Sequence, residues 1–332
     1  MMNGRRQGVS VLALAVLITI AGRPGTAAEA ELRAVTAFPR AIAFTASFLR
    51  FVEKVNAAGR GVVRIRYLGG PEVVPQSEQP GAVRRGVVDM QYGPASYYLG
   101  LVPEGDALVG SNRTPMETRA NGGLKLLQEI FRRRLAVHVL GHFDGGVGFH
   151  IYLRKPPRRT PDGGVDLKGV RLRSQPIYRE FFAGLGAQTI SVPVSEAHSA
   201  FSRGLVDGTG WVQTDLTAWG WQKFLRYRID PPFFQSELLA LINLKRWQGL
   251  SDEARAVLTR VAVRHERESY ARFQHLIAEE DARERAAGIA VITLTGAGRA
   301  RFLDKAYAAP WSRLRARAPD RWQELRSKFF LD

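Results

Sequence analysis

The chain has 332 residues, 45% of them apolar and none of them cysteine. That length fits two domains or one large one, and the missing thiols exclude disulfides, thiol nucleophiles, thiolate metal sites and an acylated lipoprotein anchor. Lys and Arg number 48 against 31 Asp and Glu, a formal charge of +17, which suits anionic partners or plain surface solubility; the basic segments lack the interleaved aromatics of a strand-binding platform, so no nucleic-acid partner is expected.

Arg5 and Arg6 precede an unbroken apolar run, Val9 to Ala21, and small residues follow at Thr26, Ala27 and Ala28. Basic, then apolar, then small is the layout of a secretory signal peptide, with cleavage expected near Ala28. The run is shorter than the roughly 20 residues of a spanning helix. Losing Arg5, Arg6 and Arg23 and no acid lowers the charge from +17 to +14. Leu32–Ala37 then reads as a strand, Ala41–Ala57 as a helix with an apolar face, and Val62–Leu68 as the next strand. Strands and helices alternate from there, the pattern of an α/β fold with mostly parallel sheets.

Two segments match. Ala82-Val83-Arg84-Arg85-Gly86-Val87-Val88-Asp89 has its counterpart in Ala200-Phe201-Ser202-Arg203-Gly204-Leu205-Val206-Asp207. Each is a helix end, a glycine cap and the start of an apolar strand, and each glycine is expected in the left-handed region. The repetition suggests two similar α/β lobes. Lys155–Gly164, rich in Pro, Gly and charge, is the expected domain boundary. Ser251–Ala287 reads as one helix that Ser251 caps and Gly288 stops. At 1.5 Å per residue it would reach about 55 Å, enough to brace two lobes. Ile289–Thr295 is a late strand, and the C-terminal tail is amphipathic and helical.

Short catalytic signatures are missing: no P-loop, no G-x-G-x-x-G, no G-x-S-x-G, and His265-Glu266 lacks a zinc-protease partner at Ser269. His138 and His142 share one face of a strand and could join Asp144 at a metal, or simply hydrogen-bond at a sheet edge. A metal site needs three or more convergent ligands, so no metal and no cofactor are expected.

Arg173 stands at the end of a short strand through Val170 and Leu172, just before a helix expected over Ile177–Leu185. In open α/β sheets ligands bind beyond the carboxyl ends of strands. A helix start favours an anion there, and a guanidinium can grip a carboxylate through two parallel bonds. The alternative is a surface pair with an ordinary acid. Trp211, Trp219, Trp221, Phe233 and Phe234 cluster after the Val206–Gly208 strand, with Gln213 as a polar handle. They could wall a pocket or fill a core.

The segments DLKGVRLR (166–173), PIYREFFAGLGAQTISVPVSEAHSAFSRGLVDG (176–208) and LINLKRW (241–247), in this order, resemble the extracytoplasmic solute-binding subunits of tripartite ATP-independent periplasmic (TRAP) transporters, the DctP-like family. The resemblance covers nearly the whole mature chain. It implies a two-lobed α/β periplasmic-binding-protein architecture with a long helix spanning both lobes: signal peptide 1–28, lobe I 29–150, lobe II 151–240, and bridging helix, returning strand and C-terminal helices 241–332. It also implies a periplasmic receptor that is not an enzyme, holds a small organic carboxylate between closing lobes and delivers it to a TRAP permease. By its place in VRLR, Arg173 is the expected carboxylate anchor.

Two departures narrow the ligand. Many members carry a second arginine in the strand before the interlobe boundary, where Phe149 or His150 stands here. Some keto-acid binders pair an acid with the Trp after the VDG strand, and here Gly210 precedes Trp211, which counts against a metal-bridged keto acid. A monocarboxylate with an apolar or ring-bearing body is therefore expected, shaped by Trp211, Phe149 and Phe234. Gln213, His150 and Gln79 would add polar contacts, and Phe38 and Tyr97 would reach the cleft from the first lobe. The alternatives are a ligand sensor feeding a membrane kinase, an exported enzyme with His138, His142 or His150 as base, and, more distantly, an envelope-binding role.

Overall fold

The computed structural model describes Met1 and residues 28–331. The export signal read from Arg5, Arg6 and Val9–Ala21 lies outside the described residues. Two mixed sheets organise the chain. The first runs Val63–Gly69, Ala30–Thr36, Met90–Pro94, Leu238–Asn243, Val137–Phe143. The second runs Ala290–Thr293, Tyr227–Phe233, Phe149–Leu153, Gly208–Val212, Arg171–Ser174, Gln188–Ser191. In each, three parallel strands are followed by an antiparallel strand that has crossed from the other lobe. Phe149–Leu153 crosses forward and Leu238–Asn243 crosses back, so this is a two-lobed α/β architecture in which each sheet contains a strand lent by the other.

The crossings occur at Asp144–Gly148 and Phe234–Glu237, not in the Pro- and Gly-rich stretch Lys155–Gly164. That stretch folds within lobe II as a hairpin, Arg158–Arg159 pairing with Val165–Asp166. Turn-forming composition marks tight hairpins as well as linkers, and here it marks the hairpin. The return crossing also puts Leu238–Asn243 wholly in the first sheet, so a boundary at 240/241 falls inside a strand. The two crossings hold each other: the Ser236 amide donates to Val147 O at 2.8 Å, the Ser236 hydroxyl donates to Asp144 O, and the Gly146 amide donates to Gln235 Oε1 at 3.3 Å. Asp144 and Phe234 sit at φ 55° and 52°, a region that non-glycine residues occupy at some cost, so both crossings are backbone under strain.

The repeated segment is a structural repeat. Gly86 and Gly204 take φ 75° and 68°. In lobe I, Arg33 donates from Nε to Asp89 Oδ2 at 2.9 Å, from its amide to the same oxygen at 2.9 Å, and from Nη2 to Gly86 O at 3.2 Å. In lobe II, Arg171 donates from Nε to Asp207 Oδ2 at 2.9 Å, from its amide to the same oxygen at 3.0 Å, and from Nη2 to Gly204 O at 2.9 Å. The same clamp fixes the helix–Gly–strand turn in both lobes. Two residues after each clamp arginine stand Val35 in lobe I and Arg173 in lobe II, so the repeat places a cation in one lobe only.

The helix Asp252–Ala286 spans both lobes; at 1.5 Å per residue its 35 residues reach about 52 Å. Ser251 caps it, accepting from the Ala254 amide at 3.1 Å. Its first half grips lobe I: Glu266 accepts from Arg119 Nε at 2.6 Å and from the His142 amide at 3.0 Å. Its second half grips lobe II: Glu280 accepts from the Thr217 amide at 2.7 Å, and Glu284 from Tyr152 Oη at 2.8 Å and Arg228 Nη1 at 2.7 Å. Alternation along Leu238–Asn243 divides the core: Leu239 and Leu241 face Leu124, Leu127 and the C-terminal Trp311, whereas Leu238, Ala240 and Ile242 join the larger cluster with the helix Ala43–Ala58 and lobe II. Among the described residues no helix is long and apolar enough to cross a membrane.

Candidate functional site

Arg173 ends its strand between the lobes and is 1% exposed. Its Nε donates to Val192 O at 2.9 Å. Its Nη1 is buried and has no partner among the described residues. Burial draws its pKa down; the titratable neighbours that act on it are the uncharged tyrosines Tyr178 and Tyr97, and among the described residues no carboxylate offsets the burial. An arginine does not deprotonate in a protein, so a full positive charge stands buried without a counterion. Such a charge is costly unless an anion meets it. The helix that follows is shorter than the sequence suggests, a 3-10 turn Pro176–Tyr178 and then Arg179–Gly184. The guanidinium, not a helix start, supplies the positive field.

Arg173 lines a cavity of about 50 Å³. Phe38, Phe44, Ser96 and Tyr97 reach it from lobe I, and Gln175, Tyr178 and Trp211 from lobe II. Phe149, Ser236 and Glu237 reach it from the crossing segments. Through Ser96, Tyr97 and Gln175 it continues into an outer cleft of about 470 Å³, edged by Gln76, Pro176, Ser195 and Trp219. The walls are held by ring packing. Tyr178 stacks on Phe182 with centroids 5.1 Å apart and meets Phe149 edge-on at 5.8 Å. Trp211 packs on Trp221 at 4.8 Å and donates from Nε1 to Thr214 O at 3.0 Å.

Of the residues expected to contact a ligand, Arg173, Trp211, Phe149, Tyr97 and Phe38 line this cavity. Phe234 stands behind it, stacked parallel to Tyr178 at 6.4 Å. Gln213, His150 and Gln79 are turned to structural work. Gln213 Oε1 accepts from the Gly148 amide at 2.7 Å. His150 lies on the opposite side of its strand from Phe149, with Nδ1 3.0 Å from both Ile229 O and Asp230 Oδ1. Burial pulls its pKa down to about 4 against the pull of Asp230. Gln79 Nε2 donates to Thr36 O at 2.8 Å and Val74 O at 2.9 Å. His138 stacks on Trp247 at 3.8 Å, while His142 Nε2 sits 2.9 Å from Ser236 O. Among the described residues no group of three or more His, Asp or Glu is placed to hold a metal.

Sequence reasoning missed Tyr178, Phe44, Ser96, Gln175 and, above all, Glu237. Glu237 is 2% exposed. Burial pushes its carboxyl up to about 7, against the hydroxyl and amide of Ser96, which favour the anion. Position 210 is closed: a Cβ there would lie 2.8 Å from Phe182 Cζ and 3.2 Å from Tyr178 Cε1. An acidic side chain before Trp211 would thus displace the ring that walls the cavity. One further contact joins the lobes. Asp215, partly buried, accepts from the Ala43 amide at 3.2 Å and caps the first turn of Ala43–Ala58 from across the cleft.

Comparison with known proteins agrees with this architecture. Residues 37–311 match the bacterial extracellular solute-binding proteins of family 7. A curated monocarboxylate 2-oxoacid-binding periplasmic protein of Nostoc sp. is 23% identical over 245 residues, a match covering 70% of this chain and only 65% of that relative's length. A TRAP periplasmic solute-binding protein of Desulfovibrio salexigens with bound orotic acid superposes with a TM-score of 0.81 at 19% identity, covering 91% of this chain and 97% of that one. The Bordetella pertussis receptor DctP7, which binds pyroglutamic acid, superposes with a TM-score of 0.77 at 20% identity, covering 90% and 99%. The family match across most of the chain, on a fold that these structures share, shows that this protein belongs to the DctP family, the bacterial extracellular solute-binding proteins of family 7.

Proposed function

We propose that this chain is an exported receptor that captures a small monocarboxylate between its lobes and delivers it to a TRAP permease. The observation that carries the reading is Arg173, a buried guanidinium that lines a cavity between two lobes and whose Nη1 has no partner among the described residues. A carboxylate there would receive charge-assisted hydrogen bonds and neutralise the buried charge. Aromatic rings from both lobes suit an apolar or ring-bearing body. A ligand touching both lobes stabilises the closed arrangement, which the Asp215–Ala43 contact also favours. The Nostoc relative named for 2-oxoacids and the pyroglutamate receptor lend support from outside the chain. The histidines offered as the base of an exported enzyme, His138, His142 and His150, do not line the cavity. The leader at Arg5–Ala28 fits delivery to the periplasm with cleavage near Ala28.

A thermal-shift panel of organic acids against the purified exported protein tests the reading. Ligand at 100 times its Kd adds about 2.7 kcal/mol to stability and raises Tm. At least one monocarboxylate should do so, with neutral sugars silent. Stabilisation by neutral or cationic solutes alone would contradict the proposal.

A further inference from the structure

Arg173 is the one cation and Glu237 the one acid among the described residues that line the inner cavity. They are not an ion pair: the interactions that act on Arg173 come from Tyr178 and Tyr97 and do not include Glu237. The Ser96 hydroxyl and amide hydrogen-bond to the Glu237 carboxyl, its charge is felt by Tyr97, Tyr98 and Tyr178, and Asp106, a like charge, disfavours its ionisation. The cavity therefore has a cationic pole and, apart from it, a lone carboxyl pole, joined by aromatic walls. A bound monocarboxylate balances Arg173. It also adds a negative charge to a low-dielectric space that already holds Glu237, which favours the neutral form of that carboxyl. A dicarboxylate would bring a second negative charge with no second cation to meet it.

We propose that Glu237 sets the specificity of this site: as a neutral acid it donates a hydrogen bond to a carbonyl or hydroxyl oxygen of the bound monocarboxylate, while the second charge of a dicarboxylate meets no second cation. This rests on the cleft being the ligand site. The favoured ligands are small 2-oxo, 2-hydroxy or lactam monocarboxylates, and each binds together with one proton. Because burial pushes the Glu237 carboxyl up to about 7, the linkage has a definite sign. Binding is strongest below pH 7 and weakens as pH rises above it, by up to tenfold per unit.

The test is calorimetry on the purified exported protein, wild type and Glu237→Gln, from pH 6 to pH 8.5. The probes are pyruvate, 4-methyl-2-oxopentanoate and pyroglutamate, with succinate and 2-oxoglutarate as dicarboxylates. Wild-type affinity for the monocarboxylates should fall about thirtyfold over that range. Titrations at pH 8 in buffers of different ionisation enthalpy should show uptake of close to one proton. In Glu237→Gln, which keeps a neutral donor but cannot ionise, the profile should flatten and the preference over dicarboxylates should persist. Wild-type affinity that is flat or rises with pH, without proton uptake, overturns the role of Glu237, and that readout needs no variant. The same probes on Arg173→Met separate the two claims. Binding lost there but flat with pH in wild type sinks only the Glu237 proposal; binding retained there sinks the site and the proposal together.

Discussion

Replacing Arg173 by methionine should move stability and affinity in opposite directions. In the free protein the guanidinium makes one protein bond, Nε to Val192 O, and Nη1 makes none. Losing that bond and stranding the Val192 carbonyl costs about 1–3 kcal/mol. Removing an unpaired buried ion returns a desolvation penalty of several kcal/mol, and methionine fills similar apolar volume. The free variant should therefore be as stable as wild type or more stable, by up to about 3 kcal/mol, measured by urea unfolding. Affinity behaves otherwise. Two charge-assisted hydrogen bonds to a carboxylate are worth about 3–6 kcal/mol together, so Kd should rise by roughly 10²–10⁴-fold. A free variant destabilised by several kcal/mol with its affinity intact would refute the reasoning, because that is the signature of an arginine already paired within the protein.

Three other outcomes follow from particular contacts. Asp144 is fully buried among Ser47, Tyr92 and Ser269, and burial raises its pKa from 3.8 to about 7; the folded state holds a proton that the unfolded chain releases, so stability should fall by on the order of 4 kcal/mol as pH rises from 4 to 8, and Asp144→Asn should flatten that profile, whereas parallel profiles would contradict it. Arg313 donates from Nε and Nη2 to fully buried Asp106 at 2.7 and 2.6 Å, so Arg313→Ala should cost about 3–5 kcal/mol in urea unfolding, and a joint replacement of both residues by apolar ones should recover most of it. Gly210→Ala should force Phe182 and Tyr178 aside, costing about 1–3 kcal/mol and weakening ligand binding with it; unchanged affinity would mean that Tyr178 does not shape the site.

Much of the fold was legible because it rests on periodic or punctuated signals. The helix after Ser251 announces itself by its cap and its length, and it differs from its expected span by one residue at each end. The repeat at Gly86 and Gly204 was readable because a left-handed turn needs glycine. The arginine–aspartate clamp that accompanies it was in the sequence too, but Arg33 and Asp89 are separated by 56 positions and no spacing rule joins them. That Arg173 stands at a strand end beside the cleft was readable from the sequence. The polar contacts were not. Phe149 and His150 are neighbours on one strand, so only one of them can face the cleft, and the pairing of His150 with Ile229 and Asp230 decides which. Gln213 and Gln79 are polar residues at strand and helix ends whose side chains hydrogen-bond backbone groups. Glu237 has no local signal at all. It meets the cavity because the chain crosses back between the lobes immediately before Leu238, a fact of topology and not of pattern.

The most direct test is a crystal structure of the exported protein with the monocarboxylate that stabilises it best. The account predicts the carboxylate against Arg173, with an oxygen about 2.7–2.9 Å from Nη1, and the ligand body between Trp211, Phe149 and Tyr178. A ligand bound outside the cleft, or inside it with Nη1 still unpaired, would contradict the account.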